Sequence, residues 1–218
     1  MPRHGHRNLR RRKVPPDHIK GDGGGRDDAR RQVDYLAARL IAEEGVTNYA
    51  DAKQKAARQA GLTDAHALPD NHEIDVALRE YQELYQGKEH RLQLQWLREV
   101  AVEVMRLLSP FNPRLTGPVL TGIATEFSDI NLQVFADDCK IVELFLINHR
   151  VPFRTDLLRI KSGDKMVGVP ILNIVFDDAP VSIAVFATED VRMAKRSDGR
   201  PMGRAKIGEV EALLTRLA

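Results

Sequence analysis

Apolar residues recur every three or four positions between residues 27 and 108, which is the spacing of one face of an α-helix. Residues that start and end helices divide this stretch into four parts. Asn48 and Asp70 are suited to cap helix N-termini, and Gly45 and Gly61 are suited to follow helix C-termini. The pattern predicts helices at about 27–44, 49–60, 71–86 and 88–108.

After residue 115 the spacing changes, and the segment 130–135, INLQVF, alternates apolar and polar residues. Successive side chains of a β-strand point to opposite faces, so this segment predicts a strand with one buried face. The same alternation predicts that Asp129 and Asn131 project from one side of the strand, toward a turn at Gly117. The remaining segments predict a helix capped by Asp137 and Asp138, a strand at 151–160, a hairpin of 169–176 and 181–186, and a last helix at 205–217.

These elements predict an α+β fold, in which an N-terminal helical region precedes a small mixed β-sheet flanked by helices. A length of 218 residues suits one such domain with appendages. We expect a basic disordered tail at 1–26, a helical region at 27–88 and the α+β domain at 89–218.

The composition of the chain indicates the cellular compartment in which we expect the protein. The sequence contains no apolar run of about 18 residues, which disfavours a membrane-spanning helix, and no apolar segment typical of a secretory signal. Its single cysteine, Cys139, excludes an internal disulfide framework and suits a reducing compartment. We therefore expect a cytoplasmic protein without a membrane partner.

Positive charge is concentrated at the N-terminus. Residues 1–31 contain ten Lys or Arg and four Asp or Glu, whereas the remaining chain contains 23 and 27. The body of the protein is therefore mildly acidic, which argues against a broad nucleic-acid platform. The cluster at 10–13, RRRK, is typical of a solvated tail, and contact with an anionic partner is the alternative. A second basic segment at 192–204 is likewise either solvated or directed at a phosphate-bearing ligand.

The segment 115–135, LTGPVLTGIATEFSDINLQVF, carries the most specific pattern. Asp129 follows Gly117 by twelve positions, and Asn131 follows it by fourteen. This spacing resembles the core motif of the nucleotidyltransferase superfamily, in which a Gly-Ser turn precedes an Asp-x-Asp or Asp-x-Glu pair. The resemblance implies a turn that contacts nucleotide phosphates at Gly117 and Pro118. It also implies ligands for Mg²⁺ at positions 129 and 131, with a third carboxylate on a later strand.

Three positions depart from the family pattern. Pro118 replaces the family serine and offers neither a hydroxyl nor an N–H group. Asn131 replaces the second carboxylate with a neutral amide, a weaker ligand for a hard cation. The third carboxylate position is matched best by Ser182, with Asn173 as the second choice.

Three functions are compatible with this pattern. The first is a degenerate nucleotidyltransferase-like domain that binds a nucleotide or nucleic acid in a regulatory role. The second is an active enzyme that needs Mg²⁺ and NTP and moves a nucleoside monophosphate to a hydroxyl, with Asp129, Asn131 and Ser182 as catalytic residues. In that case Glu126, Asp177 or Asp178 would move into the site. The third is a structural or interaction protein with a vestigial site.

Overall fold

The computed structural model describes residues 25–61, 68–162, 165–192 and 203–215. Over these residues the chain forms seven α-helices and a five-stranded mixed sheet. The first four of these helices precede the sheet in the sequence and include the N-terminal helical region. The predicted disordered tail lies outside the described residues, except that its last two residues begin the first helix. The helices are α1 (Gly25–Glu44), α2 (Tyr49–Gln59), α3 (Asn71–Tyr85), α4 (Gly87–Leu107), α5 (Gly117–Thr121), α6 (Cys139–Asn148) and α7 (Ile207–Thr215). The strands are β1 (Arg114–Thr116), β2 (Ile130–Phe135), β3 (Arg154–Ser162), β4 (Lys165–Phe176) and β5 (Ala179–Phe186).

Helices α2 and α3 begin directly after the capping residues that the sequence predicted, Asn48 and Asp70. The Asn48 side chain accepts a hydrogen bond from the backbone N–H of Ala50 at 2.8 Å. Asp70 forms a complete capping box with Glu73. The buried faces of α1, α2 and α3 form one apolar cluster, which includes Val33, Leu40, Ala52, Ile74 and Leu78.

The sheet has the strand order β1-β2-β5-β4-β3. Strands β2 and β5 are parallel, and the other neighbouring pairs are antiparallel. The apolar side of β2 is buried, as its alternation predicted, because it packs in one core with α4, α6 and α7. Residues of this core include Leu97, Met105, Ile130, Leu132, Leu146, Ile183 and Val210.

Several boundaries differ from the predicted ones. The first edge strand, β1, was not predicted because three residues are too few to show an alternation. Strand β3 begins at Arg154 and not at residue 151. The β4–β5 hairpin turns in two residues, Asp177 and Asp178, whose φ angles of 48° and 61° are left-handed. Among the helices that the structure describes, none combines the length and apolar character needed to cross a membrane.

Candidate functional site

Gly117 joins the end of β1 to the start of α5 and has a φ of +72°. A Cβ atom at this position would lie 2.8 Å from the side-chain nitrogen of Asn131. Glycine is therefore favoured here both by its backbone conformation and by the close approach of Asn131. The prediction that Asp129 and Asn131 both project from one side of the strand toward the glycine turn is confirmed for Asn131 only, because Asp129 precedes the first residue of β2.

Asn131 belongs to a row of residues that crosses the sheet. It lies opposite Ser182 on the parallel strand β5, and Ser182 lies opposite Asn173 on β4. The Ser182 hydroxyl donates a hydrogen bond to Asn173 Oδ1 at 3.1 Å. Both residues that matched the third position of the motif are therefore in this row, and they bind each other. The three side chains share one face of the sheet because opposed residues in a sheet point the same way.

A cavity of about 470 Å³ opens beside this row, between the helical region and the sheet. Four of the predicted site residues line it, namely Gly117, Pro118, Asp129 and Asn131. Ser182, the fifth, is not among its lining residues. The cavity has a mixed lining. Besides Asn131, its hydroxyl and carboxamide side chains are those of Thr47, Tyr49, Asn71, Thr121, Thr125 and Ser128. Its apolar side chains include those of Ile41, Val46, Leu78 and Ile123.

Helix α3 brings a second carboxylate, Asp75, into this cavity. The Tyr49 hydroxyl donates a hydrogen bond to Asp75 Oδ1 at 2.5 Å. Sequence reasoning missed both residues because it treated the helical region as separate from the site. A usable signal was present, since Asp75 falls on the same helical stripe as the buried residues Leu78 and Gln82.

The motif positions carry little of the negative charge that a pair of magnesium ions requires. Asp129 is exposed as a whole residue, but desolvation of its carboxyl group raises the pKa above its ordinary value. In the part of the chain that is described, no group of three or more His, Cys, Asp or Glu side chains is placed to hold a metal ion. Glu126, Asp177 and Asp178 are exposed and do not line the cavity. The donors at the motif positions are one carboxylate, one amide and one hydroxyl, which leaves little negative charge to displace water from Mg²⁺.

The loop that leads from α5 toward Asp129 is held by side chains of α3 and α4. Buried Arg98 donates from Nε to the Val119 carbonyl at 3.1 Å and from its terminal nitrogen to the Leu120 carbonyl at 3.2 Å. Burial lowers the pKa of this guanidinium. The backbone carbonyls of the next four residues are also hydrogen-bonded to side chains. Arg79 bonds to the carbonyl of Thr121, and His90 bonds to that of Gly122. Gln82 donates to the carbonyls of Ile123 and Ala124. The helical region therefore fixes the conformation of the motif loop as well as lining the cavity.

Two large aromatic side chains of the helices, which could in principle stack on bases, lie away from this cavity. Tyr81 is buried in the helical core, and Trp96 packs against the core of the sheet domain. Neither lines the 470 Å³ cavity. Of the second basic segment, residues 193–202 lie outside the described residues, and the Arg204 guanidinium lies 5.5 Å from the centre of the Phe135 ring.

No protein-family model matches this chain, and no curated protein sequence matches it. The functional argument therefore depends on the residues of this chain and on their geometry.

Proposed function

We propose that this chain is a catalytically silent nucleotidyltransferase-like domain that binds a nucleotide in the cavity between its helical region and its sheet, in a regulatory role. The observation that carries the proposal is the neutral row of Asn131, Ser182 and Asn173 beside an intact glycine turn. The resemblance implies carboxylates at two of these positions, and the chain has an amide and a hydroxyl there.

The cavity supports binding of a nucleotide for two reasons. Its volume of about 470 Å³ falls within the range of small-molecule sites. Its hydroxyls and carboxamides supply both donors and acceptors, which suits the ribose and the base of a nucleotide. The described lining residues include Asp75 and Asp129 but no Lys or Arg, so we expect the sugar and base to contribute more than the phosphates.

Loss of catalysis follows from the charge at the motif positions. Metal-assisted phosphoryl transfer uses clustered carboxylates to hold cations against water and against a triphosphate. Asn131 and Ser182 are neutral, and Ser182 is engaged with Asn173. We therefore expect binding that does not depend on Mg²⁺.

An NMR titration of the full chain tests the binding site directly. On addition of a nucleotide without metal, we expect the backbone amide signals of Gly117, Thr121 and Asn131 to shift. Gly61 and Gly87 lie outside the cavity, and their signals serve as internal controls. The absence of any shift, or shifts confined to other parts of the protein, would contradict the proposal.

A second candidate function is an active Mg²⁺-dependent nucleotidyltransferase, which the position of Asp75 favours. Asp75 and Asp129 line the same cavity, so two carboxylates are available although they do not lie on one strand. This candidate predicts transfer of a nucleoside monophosphate from NTP that requires Mg²⁺ and is lost in both Asp75→Asn and Asp129→Asn. If the wild type binds the nucleotide but transfers no nucleoside monophosphate, the result supports the catalytically silent domain.

A further inference from the structure

The two edges of the sheet differ in how they are protected. Strand β1 is three residues long, and Leu115 exchanges two backbone hydrogen bonds with Ala205, at 2.9 and 3.0 Å. Strand β3 is nine residues long and pairs with β4 along its whole length in one unbroken register. Within the described part of the chain, no strand pairs with the other edge of β3. A long edge that no other strand covers is a template for another strand. Along this edge, the backbone N–H of Leu157 donates to Asp156 Oδ1 at 2.7 Å.

Apolar side chains surround this open edge. Leu157 and Leu158 point to opposite faces of β3 and are 57% and 45% exposed. Met166, on the neighbouring strand β4, is 64% exposed. Exposed apolar side chains on both faces of an edge strand are unusual for a surface that stays in water.

Helix α6 carries a second group of exposed apolar side chains. Its outer side exposes Ile141, Leu144 and Ile147, which are spaced three residues apart and so form one stripe. The helix lies beside β3, since the Thr155 hydroxyl is 3.4 Å from Glu143 Oε1. The edge strand and the helix therefore each expose apolar side chains, and one hydrogen bond joins the two elements.

We infer that β3 pairs in antiparallel orientation with β3 of a second copy of this chain, which joins the two sheets edge to edge. Two antiparallel copies of one strand are related by a two-fold axis perpendicular to the sheet. Residues that lie opposite each other in the two copies must point to the same face of the joined sheet. The axis therefore passes between one residue of β3 and the same residue of the second copy. The edge supplies the backbone hydrogen bonds, and the exposed leucines supply apolar contact across the axis.

The charges on β3 select the registers that such a pair can adopt. An axis at Leu157 or Leu158 places leucine opposite leucine and opposes no two like charges among residues 154–162. An axis at Asp156 places two carboxylates opposite each other, and an axis at Arg159 places two guanidinium groups opposite each other. Like charges directly opposed in a sheet are destabilising. The sequence of the strand is therefore compatible with self-pairing in two neighbouring registers, which favours a second copy as the partner.

This inference does not depend on the proposed nucleotide site. The cavity is lined by residues near β1 and β2, whereas β3 is the opposite edge of the sheet. Pairing through β3 leaves the cavity of each copy accessible. The dimer and the nucleotide site can consequently be tested separately.

Sedimentation-velocity measurements on the full chain over a range of concentrations test the inference. We expect the wild type to form a dimer. We expect the double variant Leu157→Lys, Leu158→Lys to raise the dimer dissociation constant by about 100-fold or more, because it opposes like charges in either register. Leu84→Lys, at a residue of α3 that is 75% exposed, is the matched control and should leave the dimer intact. Circular dichroism confirms that each variant is folded.

Cysteine cross-linking identifies the register. In a Cys139→Ser background, Leu157→Cys or Leu158→Cys should form a disulfide-linked dimer, and the position on the axis should react fastest. Leu84→Cys in the same background should stay unlinked. A wild type that is monomeric at every concentration, or a dimer that persists in the double-lysine variant, would overturn the inference. Pairing of β3 with a strand of another protein and not with itself would also overturn it.

Discussion

Asn131 and Ser182 lie directly opposite each other on the parallel strands β2 and β5, and the Ser182 hydroxyl donates to Asn173. Ser182, which matches the third carboxylate position of the motif, is therefore adjacent to Asn131, which matches the second. The two residues are 51 positions apart in the sequence. The side chains at both positions are neutral, whereas the resemblance implies carboxylates there. This combination is the basis of the proposal that the domain binds without catalysing transfer.

The close approach of Gly117 and Asn131 predicts a specific cost for Gly117→Ala. The new methyl group would meet the Asn131 amide at 2.8 Å, and the φ of +72° would be strained for alanine. Gly61→Ala is a matched control, because Gly61 has a φ of +71° and no atom within 4 Å of the added methyl group. We expect Gly61→Ala to cost about 1–2 kcal/mol of the free energy of unfolding.

Gly117→Ala should cost at least about 1 kcal/mol more than the control, since overpacking adds to the backbone strain. Chemical denaturation of both variants measures the difference. Equal destabilisation of the two would mean that the Asn131 side chain moves aside without cost.

Arg98 holds the motif loop through two carbonyls and is almost completely buried. We expect Arg98→Met to lower the free energy of unfolding by about 2–4 kcal/mol, because two buried carbonyls lose a charged donor. Arg106→Met on the same helix is the control, since Arg106 forms an exposed ion pair with Glu211. Such pairs contribute about 0–1 kcal/mol. Equilibrium denaturation compares the two, and similar effects would contradict the role assigned to Arg98.

Asp34 on α1 predicts a pH-dependent contribution to stability. Desolvation, followed by the charge of Glu73, raises the pKa of Asp34 to about 6, and its buried Oδ1 has no hydrogen-bond partner among the described residues. The folded state therefore prefers the protonated carboxyl group. The contribution of protonated Asp34 to the free energy of unfolding is fully present below the unfolded-state pKa, about 3.9. It is lost as the pH rises through the folded-state pKa of about 6.

Asp34→Asn, which is always neutral, should therefore stabilise the protein above pH 6, by about 1–2 kcal/mol, with no advantage near pH 4. Thermal melts of both proteins across this pH range measure the effect. Asp28→Asn, at an exposed position of the same helix, is the control. A stabilisation by Asp34→Asn that is the same at pH 4 and pH 8 would exclude this explanation.

The elements that the sequence predicted well are those with local signals. Asn48 and Asp70 mark helix starts by their own hydrogen bonds, and the alternation of β2 identifies its apolar face. The alternation did not show that Gln133 and Phe135, on the other face, are buried as well. The placement of Asn131 beside Gly117 followed from the period of the strand, whereas Asp129 precedes β2. These features depend on neighbours within a few residues, which is why a single sequence contains them.

The rest of the site depends on contacts between distant elements. The bond between Tyr49 and Asp75 joins α2 to α3, and Arg98 contacts carbonyls more than twenty positions away. The helical spacing places Asp75 on the buried stripe of α3, but it does not show which distant residue that stripe contacts. The exposed edge of β3 was likewise not predictable, because the strand order of the sheet decides which strand lies at the edge.

We propose that the neutral side chains at positions 131 and 182 leave too little negative charge for metal-dependent nucleotide chemistry. Calorimetric titration of NTP, with and without Mg²⁺, into the wild type and into the triple variant Pro118→Ser, Asn131→Asp, Ser182→Asp tests it most directly. We predict that the wild type binds NTP weakly and equally with or without Mg²⁺, and that the triple variant gains affinity only when Mg²⁺ is present. Strong Mg²⁺-dependent binding by the wild type that Asp129→Ala abolishes would contradict the claim and would identify an enzyme.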